Sequence, residues 1–172
     1  MKIAIIGTHG TGKTTLSYNL AAHYKSLGKS VKIVQEVARS CPFPINEKMT
    51  IEAAKWIFLE HARKELEAKK NQVIISDRSV FDSFVYAEYF KLEDELFFEY
   101  SNLAFQKLNQ YDKLIYVRPN LFIQDDGVRS KDKEFQSSID QLFAHKLKGK
   151  MYHEIYSSNI FEKDEKWKSY CL

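Results

Sequence analysis

Apolar runs alternate with stretches of helical periodicity along most of this chain. "KIAIIG" (2–7) is continuously apolar and ends in glycine, the pattern of a strand buried on both faces. Leu16, Leu20, Tyr24 and Leu27 then recur at spacings of three and four, and Gly28 supplies a stop, so a helix is predicted. "SVKIVQE" (30–36) predicts a second strand, after which "CPFPIN" breaks the chain with two prolines. Thr50 stands where an N-cap belongs, ahead of the stripe Ile51, Ala54, Phe58, Ala62 and Leu66. "QVIISDR" (72–78) predicts a third strand. Helices over about 79–91 and 93–109 follow, the second marked by Leu96, Tyr100, Leu103 and Ala104. "KLIYVRP" (113–119) predicts a fourth strand, and "EFQSSIDQLFAHKL" a helix with Phe135, Ile139, Leu142 and Phe143 inward. "KMYHEIYS" (150–157) fits an edge strand, and the tail a short helix.

Strands alternating with helices predict an α/β fold whose parallel sheet is covered on both faces. Ligands of such sheets bind outside the carboxyl ends of the strands, and the segments starting at Gly7, Glu36, Asp77 and Arg118 all emerge there. A length of 172 residues fits one domain, taken as 1–172. Charged residues make up 28% with a net charge of +3, which argues against a nucleic-acid partner, because such a partner calls for a basic stripe. No apolar run reaches the ~18 residues of a membrane span, and the N-terminus lacks the apolar segment of a signal peptide. Cys41 and Cys171 are too few and too far apart for a disulfide framework or a zinc site. These features together set the expectation of a cytoplasmic location.

Gly7 to Thr14 matches G-x-x-x-x-G-K-[ST], between a predicted strand and a predicted helix as that motif requires. Gly10 and Gly12 let backbone N–H groups turn toward phosphate oxygens, and the first helical turn adds unpaired N–H groups. Lys13 is placed to bridge the β- and γ-phosphates, and Thr14 to ligate magnesium. Thr11 and Thr15 complete the nucleotide-binding stretch with His9, which is expected to be a variable position facing solvent. Two readings stay open for Asp77: a second carboxylate for the metal shell, or a cap for the helix beginning near Ser79.

The phosphate loop alone leaves the use of the nucleotide open. A regulatory GTPase would carry D-x-x-G on the third strand and N-K-x-D after the fourth, whereas this chain has "SDRS" and "RPN". An oligomeric motor needs a helical lid domain and a trans-acting arginine, for which the chain is short. A phosphotransferase needs an acceptor pocket, a group that orients or deprotonates the acceptor, and positive charge over the transferring phosphoryl. Glu36, beside Arg39 in "QEVARS", is the candidate base. Arg78 and, more weakly, Arg63 are candidates for holding the acceptor's phosphate or ribose. Trp56, Phe81 and Tyr86 are candidates for sandwiching a base, with a core role as the alternative. A lid is expected over about 119–134, in "QDDGVRSKDKEF", where Arg129 would supply charge in cis with help from Lys131 and Lys133. Asp125, Asp126 and Gly127 also fit a plain turn.

"GTHGTGKTTL", "QEVAR", "VIISDRSVFDS" and "DDGVRSKDKEFQ", in this order, resemble the P-loop nucleoside/nucleotide kinases. The last strip resembles the branch that holds AAA-labelled proteins and the ribosylnicotinamide-kinase domain of bifunctional NAD-synthesis proteins. "DRS" is similar instead to thymidylate and deoxynucleoside kinases. The resemblance implies a three-layer P-loop NTPase fold with a five-stranded parallel sheet in the order 2-3-1-4-5. It also implies ATP with magnesium, an acidic base at Glu36 and a lid arginine at Arg129. The expected partner is a small nucleoside or nucleoside monophosphate, with a homodimer left open. A nucleotide-dependent switch or ATPase is the competing class, and a polynucleotide 5′-kinase a related one that the modest charge disfavours.

Overall fold

The computed structural model describes residues 1–92, 94–95, 97–121, 130, 132–162 and 167–171. Five strands form one sheet: β1 (Lys2–Ile6), β2 (Val31–Val34), β3 (Val73–Asp77), β4 (Lys113–Arg118) and β5 (His153–Tyr156). Seven α-helices are described with them: α1 (Lys13–Ser26), α2 (Ile51–Glu67), α3 (Val80–Tyr89), α4 (Phe97–Leu108), α5 (Lys133–Lys146), α6 (Ser157–Phe161) and α7 (Trp167–Cys171). The sheet order is β2-β3-β1-β4-β5 and every pairing is parallel, as expected. The register sets Ile5 beside Asp77, Ile6 beside Tyr116 and Arg118 beside Tyr156, so the carboxyl ends of β3, β1, β4 and β5 share one edge. Because the chain leaves β1 toward β2 and later returns to the opposite side at β4, the strand order reverses next to β1. That reversal opens a crevice where loops diverge.

β1 shows why its sequence is apolar without alternation. Ile3 and Ile5 pack with Leu16, Leu20, Ile75 and Ile115 on the α1 side. Ala4 and Ile6 pack with Phe81, Val85, Tyr116 and Phe143 on the α3 and α5 side. A strand covered on both faces has no solvent side on which to place polar residues.

Three predicted stripes shift. The buried face of α2 runs through Ala53, Ala54, Ile57, Phe58, His61 and Glu65, and Leu66 is exposed. The face ends on a carboxylate because Glu65 is surrounded by polar partners. Lys2 Nζ lies 2.7 Å from it, the Ser76 hydroxyl donates at 3.0 Å, and Tyr111 donates from the other side. Leu27 also points outward, since α1 stops at Ser26 and Gly28 turns the chain at φ 73°. Leu103, expected inward on α4, is exposed, while Leu96 lies outside the described residues. Thr50 caps α2 as predicted, accepting from the Ala53 N–H at 3.3 Å. Among the described residues no helix is long and apolar enough to cross a membrane.

Candidate functional site

The turn from β1 to α1 carries three glycines at positive φ: Gly7 at 129°, Gly10 at 72° and Gly12 at 84°. Backbone of this kind turns successive N–H groups inward, and a side chain at Gly7 would meet the Val117 carbonyl oxygen 2.6 Å away. α1 then starts at Lys13 with Gly12 as its N-cap, no side-chain cap and no acidic residue in its first turn. Other helices here are capped by Thr50, Ser79 and Asp132, so the bare N-terminus of α1 leaves its dipole and N–H groups available to an anion. Lys13 is buried, and its ammonium folds back on the loop, donating to the Thr8 carbonyl and to Thr11 Oγ1 at 3.2 Å. Burial, with the charge of Arg78, pushes its pKa down to about 7. An arriving phosphate would restore the charge.

Thr14, in the first turn of α1, donates its hydroxyl to Asp77 Oδ2 at 2.6 Å. Asp77 Oδ1 is buried and has no hydrogen-bond partner. Burial raises the Asp77 pKa, and the nearby Glu36 charge adds to the shift. An all-oxygen pair with an unmatched carboxylate oxygen suits a small hard cation. The helix-cap alternative for Asp77 does not hold. Ser79 caps α3, accepting from the Phe81 N–H at 3.2 Å, while Asp82 accepts from the Ser79 N–H at 2.9 Å.

Beside the loop, a cleft opens among α2, α3 and the segment that follows β2. Glu36 stands at its mouth between two guanidiniums: Arg78 Nε donates to Oε1, and Arg39 Nε to Oε2 at 3.2 Å. Apolar walls come from Val37, Ile45, Met49 and Ile57. A second cleft, lined by Thr14, Ser17, Gln35 and Asp77, shares Glu36 and Arg39 with the first. Arg78 takes φ 79°, a strained value for an arginine, while its N–H still donates to the Ile5 carbonyl at 2.9 Å. This strain turns the side chain over the cleft. Burial opposes its charge, but Glu36, Tyr86 and Asp82 hold its pKa well above the ordinary value.

Several predicted residues therefore meet. Gly7, Gly10, Thr11, Gly12, Lys13 and Thr14 make up the loop and helix start, Thr15 follows exposed on α1, and Glu36, Arg39, Arg78 and Asp77 gather beside them. Others do not join. His9 is buried, contrary to the expected solvent-facing position, because its ring stacks on Phe135 at 5.1 Å and its N–H donates to the Tyr86 hydroxyl. Phe81 is wholly buried among Phe84, Phe105 and Phe143, so it is core and cannot sandwich a base in the cleft. Trp56 does not line the cleft either, because its ring packs half-buried against the Val37–Met49–Ala53 cluster. Arg63 faces solvent and is held by Glu60 and Glu67 on its own helix. In the segment expected as a lid over about 119–134, Asn120 and Ser130 make side-chain hydrogen bonds to residues outside it. Asn120 Nδ2 donates to Ser158 at 2.8 Å, and Ser130 donates to Glu47. Arg129, Lys131, Asp125, Asp126 and Gly127 lie outside the described residues, and Lys133 opens α5.

Sequence reasoning missed Asp82. It is buried on α3 and accepts from the Gly7 N–H at 3.2 Å, the Ser79 N–H at 2.9 Å and Arg78 at 3.4 Å. Burial raises its pKa against the pull of Arg78 and Lys13. "SVFD" carries the capping-box spacing, so the cap was readable. The contact with Gly7, 75 residues away, was not.

Fold and loop together define the class: a P-loop α/β protein with the sheet order and architecture of nucleoside and nucleotide kinases. The sequence model of the AAA domain family matches residues 2–162, and the chain belongs to that family. No curated protein matches its sequence. Among solved structures it is similar to NadR protein in complex with NR, at 19% identity and a TM-score of 0.69 over 90% of this chain. The chain spans only 45% of that protein's length. It is also similar to deoxyadenosine kinase from M. mycoides with its products bound, at 19% identity and a TM-score of 0.62, covering 98% of this chain and 100% of the other. Thymidylate kinase from Ehrlichia chaffeensis follows at 18% identity and a TM-score of 0.61, covering 91% and 86%.

Proposed function

We propose that this protein transfers the γ-phosphoryl group of ATP, with Mg²⁺, to a small nucleoside or nucleoside monophosphate. The observation that carries the reading is that Glu36 and Arg39 line both the cleft beside Thr14 and Asp77 and the apolar-walled cleft beside Arg78. A donor bound by the phosphate loop and an acceptor in the apolar-walled cleft would meet at that carboxylate. The structural likeness to nucleoside and nucleotide kinases supports the same reading.

In this scheme the loop N–H groups and the start of α1 hold the donor's phosphates, and Lys13 leaves the Thr8 carbonyl to bridge them. Thr14 and Asp77 would hold Mg²⁺, which would supply positive charge beside the donor's phosphates. For a nucleoside acceptor, Glu36, fixed by its two guanidiniums, orients the hydroxyl and accepts its proton as transfer proceeds. Arg39 and Arg78 are the groups that would take an acceptor's phosphate, if it carries one. Arg129 is the candidate from the sequence for charge over the transferring phosphoryl.

Glu36→Gln tests the reading in an assay with a panel of nucleosides and nucleoside monophosphates. Phosphorylation of a nucleoside acceptor should fall about 10²–10⁴-fold with ATP affinity kept. Unchanged transfer would remove Glu36 from the mechanism. ATP hydrolysis that no member of the panel accelerates would instead favour a nucleotide-dependent switch.

A further inference from the structure

Tyr86 stands between the two halves of the site. From α3 its ring lines the cleft, with the Arg78 guanidinium carbon 5.7 Å from the ring centroid. Its hydroxyl reaches the phosphate loop, accepting from the His9 N–H at 3.1 Å and lying 3.0 Å from His9 Nδ1. His9 and its neighbour Thr8 are also held from a third element. Gln136 Nε2 donates to the His9 carbonyl at 2.8 Å, the Thr8 hydroxyl donates to the Gln136 carbonyl at 3.2 Å, and Phe135 stacks on the His9 ring. His9 is thus positioned by α5 from one side and by a cleft-lining hydroxyl from the other. Any occupant that presses on the Tyr86 ring, or draws Arg78 from it, acts on the backbone that must receive the phosphates.

We propose that Tyr86 is a positioning residue that couples the cleft to the phosphate loop, so that filling the cleft changes the affinity for the nucleotide. This rests on the kinase reading only in taking nucleosides as the cleft's occupants. The element that switches is the Tyr86–His9 contact, made or broken. Coupling of this kind is reciprocal and requires a contiguous physical connection, which two hydrogen bonds to one loop residue supply.

The test is the affinity of the full chain for AMP-PNP, measured with and without a pool of common ribo- and deoxynucleosides. The pool should change the affinity about fivefold or more in the unaltered protein. In Tyr86→Phe, which keeps the ring and removes the hydroxyl, the ratio should approach one. A ratio of one in the unaltered protein, or an undiminished ratio in the variant, overturns the proposal. A structural role alone would lower stability or both affinities but leave the ratio intact. Should the variant not fold, the backbone amide resonance of His9 in the unaltered protein gives the answer. It should shift when the pool is added without nucleotide, and a stationary resonance overturns the proposal. Failure of the kinase reading looks different: the pool changes AMP-PNP affinity, yet none of its members is phosphorylated by ATP.

Discussion

Thr14 donates its hydroxyl to Asp77 across 2.6 Å, joining the first turn of α1 to the end of β3. The two residues are 63 apart in sequence, and the bond leaves one buried carboxylate oxygen without a partner. If that oxygen serves a cation, Asp77→Asn should raise the Mg²⁺ concentration needed for nucleotide binding about 10–100-fold. Titrating Mg²⁺ against binding of a fixed amount of AMP-PNP reads this directly. An unchanged Mg²⁺ midpoint would assign the carboxylate to the fold alone.

The depressed Lys13 ammonium makes nucleotide binding sensitive to pH. Its pKa is about 7 without nucleotide, and phosphates favour the charged form, so binding raises it. Between pH 7 and the raised value, binding takes up a proton, and affinity falls by up to about tenfold per pH unit as pH rises. Calorimetry at pH 8 in two buffers of different ionisation enthalpy should register uptake approaching one proton. Lys13→Arg, charged throughout this range, should abolish the uptake.

Glu65 ties α2 to β1 and β3 from inside the core. Burial opposes its ionisation, but His61, Lys2 and Tyr111 outweigh that and hold its pKa well below the ordinary carboxylate value. A depressed carboxylate contributes stability that is complete above about pH 4.3 and is lost as pH falls. Glu65→Ala should therefore cost about 3–5 kcal/mol at pH 7, and clearly less at pH 3. Urea unfolding at the two values measures the difference.

The glycines of the loop are not equivalent. A Cβ at Gly7 meets the Val117 carbonyl oxygen at 2.6 Å, and a backbone atom inside the sheet cannot move aside. A Cβ at Gly12 meets the Phe161 ring at 2.9 Å, and that side chain is exposed and free to turn. Both substitutions carry strain from positive φ, of order 1–3 kcal/mol. Gly7→Ala should lower the denaturation midpoint more than Gly12→Ala, and equal losses would contradict the contact argument.

Much of the site was legible because it is local. Gly7 to Thr14 is one turn, and its chemistry follows from spacing alone. Asp77 and Glu36 were readable as strand ends, since the apolar run of each strand stops at the sheet edge where ligands bind. Phe81, Trp56 and Arg63 misled for a shared reason. Aromatic and basic residues on a helix have the same spacing whether they face a ligand, the core or water. Only the rotation of α2 and α3 against the sheet separates those cases.

The sequence by itself determined the strands and the phosphate turn, because hydrophobic period and glycine placement act over a few residues at a time. The strand order followed only from the family resemblance. The tertiary structure decided which side chains share a cleft. It placed Asp82 on the Gly7 N–H, turned Arg78 over Glu36, and buried His9 between Tyr86 and Phe135. Each of these contacts joins elements at least 40 residues apart, so it exists only once the sheet has brought them together.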